Sequence, residues 1–284
     1  MRALISFALL LLLTFSSSLA FGQTELSGDW SLRRGFEEGV EEPIGDYTGL
    51  PVNDAARMRG YTWTPSLLSV PEHQCAPHGA DRIDNFTNLR IWKEVDLNTQ
   101  QLVAYHINVE WHNAHRVVYM DGRPHPPADA PHTFMGFSTG RWDGNMLVVK
   151  TTHVKESWLR RNGIPRSERA TITDRFIRHG NYLNWTFVVE DPAYLTEPYI
   201  RSRPYVYDSQ QAPFGRYVCE IIDENGRPPG TVPHNLPGRN TELAEFRLRH
   251  ALPEETVQGG AETMYPEYRM KLRQLAQQRD AAGR

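Results

Sequence analysis

Between residues 89 and 222 the sequence alternates short β-branched and aromatic segments with tight-turn signals, and this pattern restricts the possible folds most. Short strands joined by tight turns are typical of an antiparallel barrel or sandwich. The chain is therefore predicted to be mainly β, with barrel-like or sandwich architecture. The predicted strands are 89–95, 102–111, 116–120, 146–153, 170–178, 182–190, 199–207 and 217–222.

The strand 102–111 has one apolar face and one polar face. Tyr105 and Ile107 lie on the apolar face, whereas His106 and Glu110 lie on the other. Successive side chains of a strand point to opposite sides of the sheet, and in a barrel either side can be the inner one. The polar face is therefore either a solvated outer wall or a polar lumen that forms a site.

The segment 131–178 combines a hairpin turn with two histidines and many arginines. Asp143-Gly144 precedes an apolar, β-branched run, which predicts a tight turn because both residues tolerate positive φ. We expect residues 139–142 to pair with the strand that follows the turn. His132 and His153 would then lie at the same end of the sheet, and this segment is the candidate site.

His132 and His153 are candidates for acid–base catalysis, because the imidazole pKa lies near neutral pH. Glu110 is the third candidate, since a carboxylate can orient an imidazole or share its proton. Such a set suits hydration, dehydration, isomerisation or ester cleavage of a small molecule. The alternative interpretation is that both histidines are structural and hydrogen-bond to loop backbone.

Other kinds of site find less support in the sequence. A metal site made of His106, His112 and His115 requires a turn, because strand residues three apart face opposite sides; no metal ligands are predicted. Ser138 has G-x-S-x-G spacing but lacks the strand-to-helix context of a nucleophile elbow. The arginine-rich stretch 160–169 either pairs with local acids or binds a carboxylate, sulfate or phosphate.

The N-terminal part of the chain divides into two segments. Residues 1–22 combine a positive start, a short apolar run and small residues, which predicts a signal peptide and a periplasmic protein. The apolar run is short for a membrane span, so no span is expected after cleavage. Residues 23–88 are predicted to form a mostly irregular arm with a short helix near 54–59.

The β domain is assigned to residues 89–224, and residues 225–284 form a linker and a helical tail. Proline and glycine are frequent up to about residue 240, which indicates a linker. Beyond it, capping residues and prolines predict helices at 242–252 and 266–280.

Cysteine and charge content restrict the possible compartment and partners. Cys75 and Cys219 are the two cysteines, and in an oxidising compartment such a pair predicts one disulfide. The alternative takes Cys75 and His78 as half of a metal site, for which no matching pair is present. A net charge of −3 argues against a nucleic-acid partner, which requires a basic surface.

Two resemblances add to this interpretation. Gly28-Asp29-Trp30 is similar to the G-x-W start of lipocalin-like (calycin) chains, in which the tryptophan closes one barrel end. The segments HQCAPHGADR, RVVYMDGRPHP, PHTFMGFSTGRWDGNMLVV and TTHVKESWLRRNG resemble a large family of exported bacterial proteins without a settled activity. That resemblance implies an architecture and marked positions. The marked positions expected to bind a ligand are Arg116, Tyr119, Arg123, His125, Trp142, Lys155, Trp158 and Arg161.

These features together predict an exported protein that binds a small, fairly hydrophobic or aromatic molecule in an aromatic-lined β cavity. Two alternatives stay open. One is a lyase, isomerase or hydrolase on the same scaffold, with His153 as base and His132 or Glu110 as partner. The other is an envelope assembly factor whose arm and tail contact a partner. No cofactor is predicted, and the sequence does not specify an oligomeric state.

Overall fold

The computed structural model describes residues 24–33, 43–64, 74–83, 88–109, 114–210, 218–220, 228 and 233–282. The predicted signal peptide and the predicted catalytic residue Glu110 lie outside these ranges. Within the described chain, no helix combines the length and the apolar character that a membrane span requires.

The described residues form a mainly β structure. A ring of nine strands closes in the order β1-β11-β10-β9-β6-β5-β4-β3-β2, and β7 pairs with β8 outside it. The closed ring confirms the predicted barrel and excludes the sandwich. The strands are β1 (Gly28–Leu32), β2 (Leu89–Val95), β3 (Leu102–Val109), β4 (His115–Tyr119), β5 (Phe137–Asp143), β6 (Met146–Thr152), β7 (Ser157–Trp158), β8 (Pro165–Arg166), β9 (Thr171–His179), β10 (Tyr182–Glu190) and β11 (Tyr199–Tyr207).

The hairpin predicted at Asp143-Gly144 is present. Asp143 pairs with Met146, so that a two-residue loop joins β5 to β6, and Gly144 has a φ of +60°. Glycine adopts that angle without steric cost. The expected pairing of 139–142 with the next strand is confirmed, because Thr139 lies opposite Lys150 and Trp142 opposite Leu147.

One strand pair differs from the antiparallel pattern that the sequence predicts. β4 and β5 run parallel and pair at Val118–Ser138 and Tyr119–Thr139. Parallel neighbours cannot be joined by a tight hairpin, so a long connection must link them. Here the connection is residues 120–136, which have no strand periodicity and therefore gave no sign of this geometry.

The barrel is filled by side chains from alternate strand positions. On β10, Leu183, Trp185, Phe187 and Val189 are all buried, as are their neighbours on adjacent strands. The apolar face of each strand is therefore the inner face. His106, on the opposite face of β3, consequently lies on the outer wall.

The interior also contains a charged pair, Arg116 and Asp174, whose side chains are both 0% exposed. The Arg116 Nη2 atom donates to Asp174 Oδ2 at 2.5 Å and to Thr151 Oγ1 at 2.6 Å, and Nε donates to Ser138 Oγ at 3.1 Å. Trp185 Nε1 donates to the second Asp174 oxygen at 2.9 Å. Hydrogen bonds from several strands thus reach both buried charges, and only Arg116 Nη1 lacks a hydrogen-bond partner within this network.

The N-terminal residues of the described chain cross one end of the barrel. We call this end the mouth; it carries the β2–β3, β5–β6 and β9–β10 turns. Glu25 forms an ion pair with Lys93 of β2, and its carbonyl accepts a hydrogen bond from Arg178. Trp30 is 1% exposed and donates its indole hydrogen to Leu26, while the Arg178 guanidinium lies 5.1 Å from its ring centre.

The predicted helices are present with shifted ends. They are α1 (Asp54–Thr62), α2 (Glu242–Arg249) and α4 (Pro266–Ala282), whereas α3 (Glu254–Gln258) and a 3-10 turn at Gly260–Met264 were not predicted. Asn53 caps α1 by accepting a hydrogen bond from the Ala56 amide.

The predicted disulfide between Cys75 and Cys219 is confirmed, with Cα atoms 5.7 Å apart. This bond removes the alternative of a metal site at Cys75 and His78. The strand predicted at 217–222 is wrong for 218–220, which form no strand. That segment is held by the covalent bond to Cys75 rather than by a β ladder.

We predict that Asp174→Ala lowers the free energy of unfolding by about 3–5 kcal/mol, because it leaves the Arg116 charge buried and uncompensated. Urea unfolding followed by tryptophan fluorescence measures this. The double variant Arg116→Met with Asp174→Leu should regain most of the loss. Asp121→Ala, which breaks the exposed pair with Arg123, is the matched control and should change stability far less. Equal effects of the two single variants would contradict the prediction.

Candidate functional site

Many of the predicted site residues meet on the outer wall of the barrel, over β4, β5 and β6. The inner faces of β5 and β6 carry Ser138 and Thr151, so Thr139 and Thr152 face outward beneath the connection 120–136. We call the group on this wall the histidine cluster. Its members are Tyr119, Arg123, His125, His132 and His153, with the two outward threonines.

The structure places His132 and His153 side by side, with ring centres 5.2 Å apart. His153 follows β6 and has a φ of +58°, a left-handed backbone conformation that is uncommon for residues other than glycine. The Thr133 amide donates to its carbonyl at 2.9 Å, and the Lys155 amide donates to the Thr133 carbonyl at 2.8 Å. The two histidines are therefore held by a local backbone bridge.

A chain of hydrogen bonds fixes the protons of the histidine cluster. The Pro127 carbonyl can only accept, so His153 Nε2 donates to it at 2.9 Å. His153 Nδ1 then accepts from the Thr152 hydroxyl at 2.8 Å. Thr152 Oγ1 in turn accepts from His125 Nδ1 at 2.8 Å, and His125 Nε2 accepts from Thr139 at 2.9 Å. In this arrangement each of the two rings donates from one nitrogen and accepts at the other.

The surroundings of His125 also favour its neutral form. Burial lowers the pKa of His125 below its ordinary value, and the positive charge of Lys150 and the neighbouring His153 lower it further. Protonation would place a hydrogen on Nε2, where the ring now accepts the Thr139 hydroxyl. A proton on His125 therefore costs both solvation and a hydrogen bond.

These bonds limit the chemistry that the cluster can perform. Both ring nitrogens of His153 and of His125 are engaged with backbone or threonine oxygens. His132 Nδ1 donates to the Val154 carbonyl at 2.9 Å, and the described residues provide no partner for its Nε2 atom. His132 is thus the member best placed to accept a proton from a bound molecule.

The positive charge of Arg123 is balanced by a neighbouring carboxylate on the same wall. Its guanidinium lies 3.8 Å from the centre of the Tyr119 ring and forms a paired contact with Asp121. The hydrogen bonds from Arg123 hold the pKa of Asp121 below its ordinary value. Tyr119 stacks on Phe137 at 5.2 Å, and Phe137 meets the edge of His125 at 5.3 Å. Arg123 therefore closes an aromatic stack and has its own counter-ion.

The other predicted ligand-binding residues lie elsewhere. Arg116 is inside the barrel, on the opposite face of β5 and β6. Lys155 lies 5.3 Å from the centre of the Phe134 ring. Trp158 of β7 meets Trp63 edge-on at 5.8 Å, and Arg161 is half-buried and engaged with the surrounding protein. Trp142 lies at the mouth, so the predicted set does not form one site.

A depression with a volume of about 1050 Å³ opens at the mouth. It forms because β4 ends at Tyr119, whereas β5 continues from Thr139 to Asp143 with β6 as its only described strand neighbour. Its lining combines apolar, aromatic and charged side chains. They include Lys93, Val95, Leu102, Val103, Met120, Arg141 and Trp142.

Trp142 is the most distinctive residue of this depression. Its ring meets Tyr105 edge-on at 6.3 Å, and its buried Nε1 atom has no hydrogen-bond partner among the described residues. Met120 reaches the adjacent position because residue 140 is glycine. A Cβ atom at Gly140 would lie 2.5 Å from the Met120 sulfur.

Sequence reasoning missed several of these residues. A glycine inside a strand often marks a close approach, so Gly140 was the available signal for the depression. Asp174 had a stronger one, because it stands between Ile172 and Phe176 at an inward position of an apolar alternation. A carboxylate there requires a buried cation. Lys93 and Met120 gave no comparable sign.

Comparisons with known proteins leave the chain without a family assignment. No protein-family model and no curated protein matches it. Among solved structures it is similar to the crystal structure of a mutant of the fluorescent protein UnaG, with a TM-score of 0.28 and 8% identity. The match covers 64% of this chain and 95% of that one. A TM-score this low supports no inference about function.

We predict that the histidine cluster makes the protein less stable in mild acid. Because the folded pKa of His125 lies below that of the unfolded chain, about 6.5, the unfolded state binds the proton more readily. The contribution of His125 to the free energy of unfolding is therefore fully present well above pH 6.5, and it decreases as the pH falls through that value. Urea unfolding at pH 7.5 and pH 5.5 measures the difference.

The matched variants are His125→Gln and, at the exposed β9–β10 turn, His179→Gln. His125→Gln should make the unfolding free energy less dependent on pH. His179→Gln should retain more of the pH dependence of the wild type. An unchanged dependence in His125→Gln would show that His125 does not contribute.

Proposed function

We propose that this protein binds a small, fairly hydrophobic molecule in the depression at the mouth of the barrel. The observation that carries the proposal is Trp142, whose ring lines the depression and whose buried Nε1 atom lacks a partner among the described residues. An unsatisfied buried donor costs about 1–3 kcal/mol. The Nε1 atom itself is closed to solvent, so a ligand with an acceptor oxygen would offset that cost after a small turn of the ring toward the depression.

The lining specifies the chemistry of the ligand further. Leu102, Val103 and Met120 provide apolar contacts, and Trp142 provides an aromatic surface. The charged residues of the lining are Lys93, which pairs with Glu25, and Arg141, Asp96 and Asp121, so the lining has no excess of positive charge. We therefore infer a ligand with a flat or branched apolar body and one oxygen acceptor.

We also propose that the protein works in the periplasm after export. The disulfide between Cys75 and Cys219 supports this location, because such bonds persist in oxidising compartments and are rare in the cytosol. The amino-terminal sequence pattern, which has the order of a signal peptide, is the second support.

Acid–base catalysis at the histidine cluster stays a prediction with narrower support. The proximity of His132 and His153 favours it. The hydrogen bonds of His153 oppose its assignment as the base, since the Thr152 hydroxyl and the Pro127 carbonyl occupy both of its nitrogens. An enzyme on this wall would have to use His132 Nε2 as the proton acceptor.

Fluorescence titration with 1-anilinonaphthalene-8-sulfonate, an aromatic probe with a sulfonate acceptor, tests the binding proposal. We expect saturable binding to the wild type, with energy transfer from tryptophan. Trp142→Phe should weaken binding about 5–10-fold, because it retains the ring but removes one hydrogen bond. Trp142→Ala should weaken it more.

The matched control is Trp92→Phe, since Trp92 is 37% exposed on the outer wall and does not line the depression. This variant should bind the probe as the wild type does. Thermal unfolding of each variant separates lost binding from lost folding. Equal affinity of wild type and Trp142→Phe, or the absence of saturable binding, would overturn the proposal.

A further inference from the structure

A second histidine pair lies on the outer wall, apart from the depression. His106 of β3 and His115 of β4 approach each other with His106 Nδ1 and His115 Nε2 2.9 Å apart. Glu94 of β2 contacts the other ring nitrogen of His106, with Oε2 2.8 Å from Nε2. Three neighbouring strands thus place two imidazoles and one carboxylate in a row.

The carboxylate decides which nitrogen of His106 carries the proton. An ionised Glu94 can only accept, so His106 donates from Nε2 and directs the lone pair of Nδ1 toward His115. Histidines that bind metals usually donate their second N–H to a carboxylate, which fixes ring orientation and increases ligand basicity. Glu94 and His106 have this relationship.

The distances between the rings also suit a shared cation. The ring centres are 5.0 Å apart and the planes differ by 16°. Two imidazoles bound at about 2.0–2.1 Å to one ion, with an angle of about 90–109° at the metal, have ring centres about 4.5–5.2 Å apart. The two nitrogens then need to separate by only a few tenths of an ångström, while the rings turn slightly.

Trp92 holds the pair in place. Its ring stacks on His106 with centres 5.0 Å apart and on His115 with centres 5.4 Å apart, at angles of 7° and 10°. These two contacts fix the orientation of both imidazoles relative to each other.

We propose that His106 and His115 bind a late first-row divalent cation, with Cu²⁺ the most tightly held. Imidazole nitrogen suits these ions, and affinity increases along the series to copper. Among the described residues no third protein ligand joins the pair. The proton between the two nitrogens moves to Nδ1 of His115 when the ion binds. This site is separate from the proposed ligand depression.

Calorimetric titration of the full chain with Cu²⁺ and Zn²⁺ tests the proposal, with Mg²⁺ as the oxygen-preferring control. We expect micromolar Cu²⁺ binding, weaker Zn²⁺ binding and no Mg²⁺ binding. The electron paramagnetic resonance spectrum of the Cu²⁺ complex should show coupling to two imidazole nitrogens. Cu²⁺ should also quench tryptophan fluorescence, and Trp92→Phe should lose most of this quenching.

Matched variants assign the site. His115→Phe keeps an aromatic ring on Trp92 and should lose at least 100-fold in Cu²⁺ affinity, whereas His179→Phe should bind as the wild type does. Glu94→Gln should lower the Cu²⁺ affinity about 10-fold, because it removes the carboxylate that accepts from His106 Nε2. Undiminished Cu²⁺ binding by His115→Phe would show that the ion binds elsewhere and would overturn the proposal. A wild-type spectrum without two coupled nitrogens would overturn it even if that variant did not fold.

Discussion

The main constraint on the barrel is the buried pair of Arg116 and Asp174, because neither charge can stay in the interior without the other. Together with Ser138, Thr151 and Trp185, it forms one hydrogen-bonded network inside the lumen. These residues belong to β4, β5, β6, β9 and β10, which are successive neighbours around the ring. The network therefore crosses the weakest junction of the barrel, where β4 and β5 share only two registered pairs. Charges that are expensive to bury fix which strands must be neighbours.

Much of the fold could be predicted because its signals are local. Alternation identified β2, β3, β9, β10 and β11, and Asp143-Gly144 identified the hairpin, since periodicity and turn chemistry depend on adjacent residues. The parallel pairing of β4 and β5 could not be predicted. It depends on where an irregular connection returns to the sheet, and no short-range pattern records that path.

The candidate site was less predictable than the fold, for a related reason. The sequence indicated a dense polar segment around His132 and His153. It did not indicate that Thr152 and Pro127 would occupy the nitrogens of His153, because those bonds depend on the path of the connection over β5 and β6. Trp142 was selected through a resemblance. Its surroundings depend on the point at which β4 ends while β5 and β6 continue. His106 and His115 meet because a strand register places them diagonally across β3 and β4.

The short length of β4 has a consequence for how such a barrel can change. The depression at the mouth is the space that β4 would fill if it extended beside Trp142. Its size is therefore set by the residue at which the chain leaves the sheet, and not by the residues of the core. A change of one or two residues near Met120 would widen or narrow the opening while the network around Arg116 stayed intact. The size of the opening and the stability of the interior can therefore vary independently of each other.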